Sequence, residues 1–178
     1  MARQIVLLRG VNLGPRNRIA MPELRESFAD AGFDDARTYL QSGNVVLSSR
    51  ASPERVARTC ERLIEDRFGL DIDVVVRTRD ELADIVGRDP LAHVATNPRR
   101  YQVTFLAAKP AADVIRRLTA AAVAPEQLVH IGRELYAWHP EGVGRSKLAA
   151  RLSGPELGVT ATARNWATVT KLLAMADE

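Results

Sequence analysis

The chain has 178 residues, 46% of them apolar and 26% charged, and one cysteine, Cys60. This length holds one large domain or two small ones. A single thiol excludes an internal disulfide framework and makes a reducing compartment the default. No apolar run reaches the roughly 20 residues of a membrane span. The formal net charge of +3 decides little, but its distribution is uneven. Residues 1–22 carry Arg3, Arg9, Arg16 and Arg18 with no acid, residues 143–178 are also net basic, and the middle is net acidic.

Ile5-Val6-Leu7-Leu8 predicts a first buried strand. It is too short for the apolar region of a signal peptide and Arg9 follows it at once, which reads as a cytoplasmic protein. The stretch Arg9-Gly10-Val11-Asn12-Leu13-Gly14 then turns polar and Gly-rich. A helix is expected from Pro22, a good first-turn residue, with Leu24, Phe28 and Ala31 on one face and Gly32 just past its end. Strands are expected at 37–40 and 45–47, joined by Gln41-Ser42-Gly43-Asn44. Ser52-Pro53-Glu54 opens a second helix with the apolar stripe Val56, Cys60, Leu63 and Ile64, closed by Gly69. A fourth strand covers 72–76.

This order, βαββαβ over residues 3–77, is the ferredoxin-like arrangement, with an antiparallel sheet in the order 4-1-3-2 and helices on one face. The expected division is a ferredoxin-like subdomain at 1–78, a short helix and linker at 79–100, and a second α+β subdomain at 101–178. The linker is marked by Pro90, Pro98 and Arg99-Arg100. The second half reads as a strand at 101–106, a helix at 111–123, strands at 127–131 and 135–138, a helix near 145–152 and a last helix over 165–176. Its predicted order is therefore βαββαα. It echoes the first half without a sequence self-match.

In that topology the end of strand one, the turn before strand three and the start of the first helix share one sheet edge. Arg9, Asn12, Gln41, Ser42 and Asn44 then become neighbours across about thirty residues of sequence. A helix N-terminus beside arginine and small polar side chains suits a phosphate or carboxylate. The competing reading is that these residues only stabilise turns, with Arg9 pairing to Asp71 or Asp73. A second group lies near the C-terminus. Trp166, Val169, Leu173 and Ala176 make an apolar stripe, and Arg164, Thr168 and Lys171 fall on another face, with Asn165 or Thr162 as a cap. Arg164, Asn165 and Lys171 form a second candidate wall, with Lys147 added from the preceding helix.

Several motifs fail. Gly142-Val143-Gly144-Arg145-Ser146-Lys147 lacks the ending of a phosphate loop. Arg9–Gly14 lacks the third glycine of a dinucleotide fingerprint. His93, His130 and His139 have no metal-ligand spacing, so neither a metal nor a cofactor is assigned. Cys60 reads as a core residue. The first and third strands carry no aromatic residue, which disfavours RNA binding on the sheet face.

Together, Leu7–Gly14, Met21-Pro22-Glu23-Leu24-Arg25 and Thr38–Val46 resemble the signature of the domain-of-unknown-function 1697 family. Thr162–Leu172 is similar to that family's C-terminal block, and Ser146-Lys147-Leu148 to the helix before it. Pro15, Arg16 and Arg18 depart from the family pattern of a second glycine and lysines. The resemblance implies an α+β fold and supplies no catalytic residues. The functional expectation is a small phosphorylated or carboxylated ligand bound near the end of strand one. The alternatives are a nucleic-acid-binding accessory protein using the basic chain ends, and an interaction domain without a ligand. Whether the protein is an enzyme, and its oligomeric state, are left open.

Overall fold

A computed structural model describes residues 1–178. The protein is α+β, with two four-stranded antiparallel sheets and six α-helices. It divides into two compact units, one of Met1–Ala83 with Leu172–Glu178 and one of Asp84–Lys171.

The first unit runs β1 (Ala2–Leu8), α1 (Met21–Asp30), β2 (Arg37–Tyr39), β3 (Asn44–Ser49), α2 (Pro53–Phe68) and β4 (Val74–Thr78). Its sheet order is β2-β3-β1-β4. Val6 pairs with Val45 on one side and Val76 on the other, which sets the register of the central strand. Alternate residues Val6, Leu8, Val45, Leu47, Val74 and Val76 build a core with Leu24 and Phe28 of α1 and Val56, Cys60 and Ile64 of α2. The other parity, Ile5, Leu7, Val46 and Val75, is buried as well. Burial on both faces explains why the strands read as unbroken apolar runs.

Local signals set the helix ends. Ser52 accepts a bond from the Arg55 amide at the start of α2, and Gly69, at φ 64°, takes the left-handed position after its end. After α1, Gly32 at φ 88° lets the chain reverse. The Gly32 amide then donates to the Ala29 carbonyl and the Phe33 amide to the Phe28 carbonyl. This is the Schellman closure, and its apolar clasp is the Phe28–Phe33 ring pair, 5.9 Å between centroids. The C-terminal residues of this unit are held by Arg37, which donates to the Met175 carbonyl and pairs with Glu178, and by Arg79, whose Nε lies 2.6 Å from Asp177.

The second unit carries the second half of α3 (Arg79–Arg88), then β5 (Tyr101–Leu106), α4 (Ala112–Ala121), β6 (Gln127–Ile131), β7 (Glu134–Trp138), α5 (Lys147–Leu152) and β8 (Ala161–Asn165), followed by the first half of α6 (Trp166–Asp177). Leu106, Leu135, Ala137 and Ala161 face Val114, Leu118, Leu148 and Leu152 of the helices.

The expected order βαββαα is corrected here. Residues 161–165 form a strand, β8, paired antiparallel with β5 through Leu106–Ala161 and Val103–Arg164. The sheet order is β6-β7-β5-β8. Ala-Thr-Ala-Arg-Asn has the right alternation but no large apolar residue, so its inward parity is marked only by alanine. No helix is long and apolar enough to cross a membrane.

Candidate functional site

The chain leaves β1 between two neighbours. The Leu8 amide donates to the Gly43 carbonyl and the Arg9 amide to the Asp73 carbonyl, both at 2.9 Å. The Arg9 guanidinium lies 3.6 Å from the Asp73 carboxylate, with both side chains about half exposed. Solvent screening keeps such a pair within about 1 kcal/mol. Of the two acids read from the sequence as partners for Arg9, Asp73 is the one it meets.

Val11, with no exposed surface, and Ile19, 3% exposed, anchor the loop in the core at both ends. Between them Asn12 takes a left-handed conformation, φ 56°, which asparagine tolerates better than most residues. Its amide is fully engaged. Nδ2 donates to the Ile19 carbonyl at 2.8 Å and the Gln41 carbonyl at 2.7 Å, and Oδ1 accepts from the Ile19 amide at 3.0 Å. Asn12 thus supplies the donor and acceptor of a missing strand partner for Ile19, and ties this loop to the β2–β3 turn.

That turn reverses the chain with Leu40 at φ 57° and Gly43 at φ 79°. Asn44 is fully buried, and its Nδ2 donates to the Tyr39 carbonyl and Ser42 Oγ, each at 3.0 Å. A Cβ on Gly43 would stand 2.7 Å from the Leu8 Cβ. Arg9, Asn12, Gln41, Ser42 and Asn44 are therefore brought to one edge. Within it, the Asn12 amide binds the protein's own backbone and the Asn44 amide binds backbone and the Ser42 hydroxyl.

The groups that remain solvent-facing overlap only in part with those singled out in the sequence. Arg16 and Arg18 are exposed and make no ion pair or hydrogen bond through their side chains, and the exposed Gln41 side chain has no partner either. Leu13 is 80% exposed and Leu40 55%. The absence of any acid in residues 1–22 was the sequence signal for the two arginines. Nothing in the sequence distinguished the two leucines. Helix α1 begins at the same loop, with Ala20 at its N-cap making no side-chain cap bond and Glu23 in its first turn.

The second group lies in or next to the second unit's sheet. Arg164 is not on a helix face with Thr168 and Lys171, as the expected helix boundary implied; it is in β8. It is 8% exposed, and Nη1 donates to Thr162 Oγ1 at 2.6 Å and the Ala163 carbonyl at 2.9 Å. Burial pushes its guanidinium down to about 10, still charged at neutral pH. Thr168 is buried while Lys171 is exposed, so these two share no solvated stripe. Lys147 is exposed at the start of the six-residue α5, where Ser146 provides the cap.

Asn165 is the cap of α6: its Oδ1 accepts from the Thr168 amide at 2.9 Å. Asn165→Ala is expected to lower stability by about 1 kcal/mol, the usual value of an N-cap, and Asn165→Asp to retain most of it. Urea denaturation of the two variants measures this.

Two further features carry less. Cys60 is buried on the α2 stripe and burial pushes its thiol up to about 12, so it is an inert core residue. A cleft on the outer side of α1 and α2, lined by Asp30, Arg62, Asp66 and Arg67 among others, balances its charges and shares no residue with the loop edge.

Comparison with curated proteins gives no match. Among solved structures, the conserved bacterial protein SP0830 from Streptococcus pneumoniae superimposes with a TM-score of 0.81 at 21% identity, covering 100% of this chain and 99% of that one. At that identity the likeness concerns the fold alone. The family described as "Protein of unknown function (DUF1697)" matches residues 1–136. Those residues include both the β1 loop and the β2–β3 turn, and end before the C-terminal block Thr162–Leu172. The chain belongs to the DUF1697 family.

Proposed function

We propose that the loop after β1 binds a small phosphorylated or carboxylated molecule. Arg16 and Arg18, with Arg9 beside them in the loop, act as charge partners, and Gln41 and Ser42 supply hydrogen bonds. The observation that carries this reading is two unpaired arginines on a loop whose ends are buried and whose backbone is tied down by Asn12. Guanidinium groups held on a fixed backbone lose less freedom when an anion binds. Arg164, Asn165, Lys147 and Lys171 are left out of this site, because Arg164 is buried and Asn165 is occupied as a cap.

The first unit is read as ferredoxin-like, supported by its βαββαβ order and by the strand sequence β4-β1-β3-β2 across the sheet. The second unit repeats that strand order, which supports a structural duplication. The one buried thiol is in keeping with a cytoplasmic location.

Titration with inorganic phosphate and pyrophosphate, followed by amide NMR shifts, tests the site. Saturable shifts are expected at residues 9–18 and 41–42. The double variant Arg16→Gln/Arg18→Gln is expected to weaken binding about ten-fold or more while changing stability by less than about 0.5 kcal/mol. Unchanged affinity in that variant removes the reading. Tighter retention of oligonucleotides than of phosphate, lost steeply with salt, favours the nucleic-acid alternative.

A further inference from the structure

Two large apolar side chains flank this basic edge in an unusual way. Leu13 follows Asn12, and Leu40 precedes Gln41, the residue whose carbonyl Asn12 holds at 2.7 Å. Each leucine is thus next in sequence to one end of a single hydrogen bond. They are 80% and 55% exposed, and they belong to a group of only four large apolar residues with that much exposure in the whole chain.

Leu40 also sits at φ 57°. A bulky residue is an outlier there, and glycine or asparagine fills the position with less strain. Burial does not compensate Leu40 for that strain. A backbone outlier retained on an exposed residue points to a use outside folding. The unpaired Arg16 and Arg18 lie five residues or fewer from Leu13 on the same tied loop. Positive charge and exposed hydrocarbon are therefore presented by two loops that one hydrogen bond holds together.

We propose that the ligand is an amphiphilic anion: a phosphate or carboxylate joined to a hydrocarbon or ring that covers Leu13 and Leu40. This rests on the anion-binding reading above and specifies the ligand's second half. The same chemistry is offered by a free alkyl or aryl phosphate and by the headgroup region of an anionic lipid surface. The free molecule is the source proposed.

Calorimetric titration with inorganic, ethyl, butyl and hexyl phosphate, each held monomeric, tests it on the full chain. For the wild type, affinity is expected to rise roughly two-fold per methylene, below the full burial value because the site is open. In Leu13→Ser/Leu40→Asn that rise disappears while inorganic phosphate binds as before. Both substitutions are at exposed positions and asparagine suits φ 57°, so folding is retained. Arg16→Gln/Arg18→Gln weakens every member of the series about ten-fold or more, and hexanol does not bind.

A flat series in the wild type, with phosphate bound, overturns the amphiphile and leaves the anion site standing. An unchanged rise in the leucine variant also overturns it. No binding of any phosphate overturns both readings. Sedimentation with phosphatidylglycerol vesicles, without binding of monomeric hexyl phosphate, overturns the free ligand in favour of a lipid surface.

Discussion

Gly43→Ala lowers the unfolding free energy by about 3 kcal/mol, and urea denaturation shows the loss as a shifted midpoint with an unchanged slope. Two independent costs add. At φ 79° a side chain is strained by about 1–2 kcal/mol. The new Cβ also stands 2.7 Å from the Leu8 Cβ, closer than real Cβ atoms approach one another. The obstacle is not the flexible end of a side chain. Leu8 Cβ is fixed to a strand whose amide is bonded to the Gly43 carbonyl itself and whose side chain is fully buried. The overlap is relieved only by moving β1 against the turn, and such overpacking costs about 1–3 kcal/mol.

Gly10→Ala is the internal control for that prediction. Gly10 has φ 69° and nothing within 4 Å of its missing Cβ. It bears the conformational cost alone, about 1 kcal/mol. If the two variants are equally destabilised, contact with Leu8 is not what requires glycine at residue 43.

The sequence made some of these features readable and hid others for physical reasons. The strands β1, β3 and β4 were legible because burial on both faces leaves long runs of Val, Ile and Leu. Helix α2 was legible because Ser52 and Gly69 are the residue types its two ends need. The meeting of residues 9–14 with 41–44 followed from strand order, which the element sequence constrains strongly. β8 is hidden because alanine and threonine give little hydropathy contrast, and helical spacing without that strand places Arg164 on an exposed face when it is buried in the sheet.

The roles inside the loop edge were hidden for a different reason. An asparagine in a polar loop has the same sequence signature whether its amide holds backbone or ligand. Bonds of 2.7–3.0 Å assign the Asn12 amide to backbone, and bonds of 3.0 Å assign the Asn44 amide to the Tyr39 carbonyl and the Ser42 hydroxyl of its own turn. Leu40 was hidden because leucine is not a residue that announces a left-handed turn.

Asn12→Ala is expected to cost about 3 kcal/mol. It removes the partners of the Ile19 amide, the Ile19 carbonyl and the Gln41 carbonyl. Ile19 is 3% exposed, so water replaces its two bonds poorly, and each buried unsatisfied group costs about 1–3 kcal/mol before the loop relaxes, whereas the exposed Gln41 carbonyl is free to bond water. Alanine also strains φ 56°. Asn12→Gly relieves the strain while losing the same bonds, so it is expected about 1 kcal/mol more stable than Asn12→Ala. A glycine variant equal to wild type would show that the amide bonds contribute nothing. Arg16 and Arg18 lie between Asn12 and Ile19, inside the loop those bonds close. Asn12→Gly therefore removes no cation and yet is expected to weaken phosphate binding about ten-fold, because each guanidinium must then be ordered as the anion arrives. Affinity unchanged in the folded glycine variant would separate the scaffold from the site, and the two arginines would bind without help from the backbone that presents them.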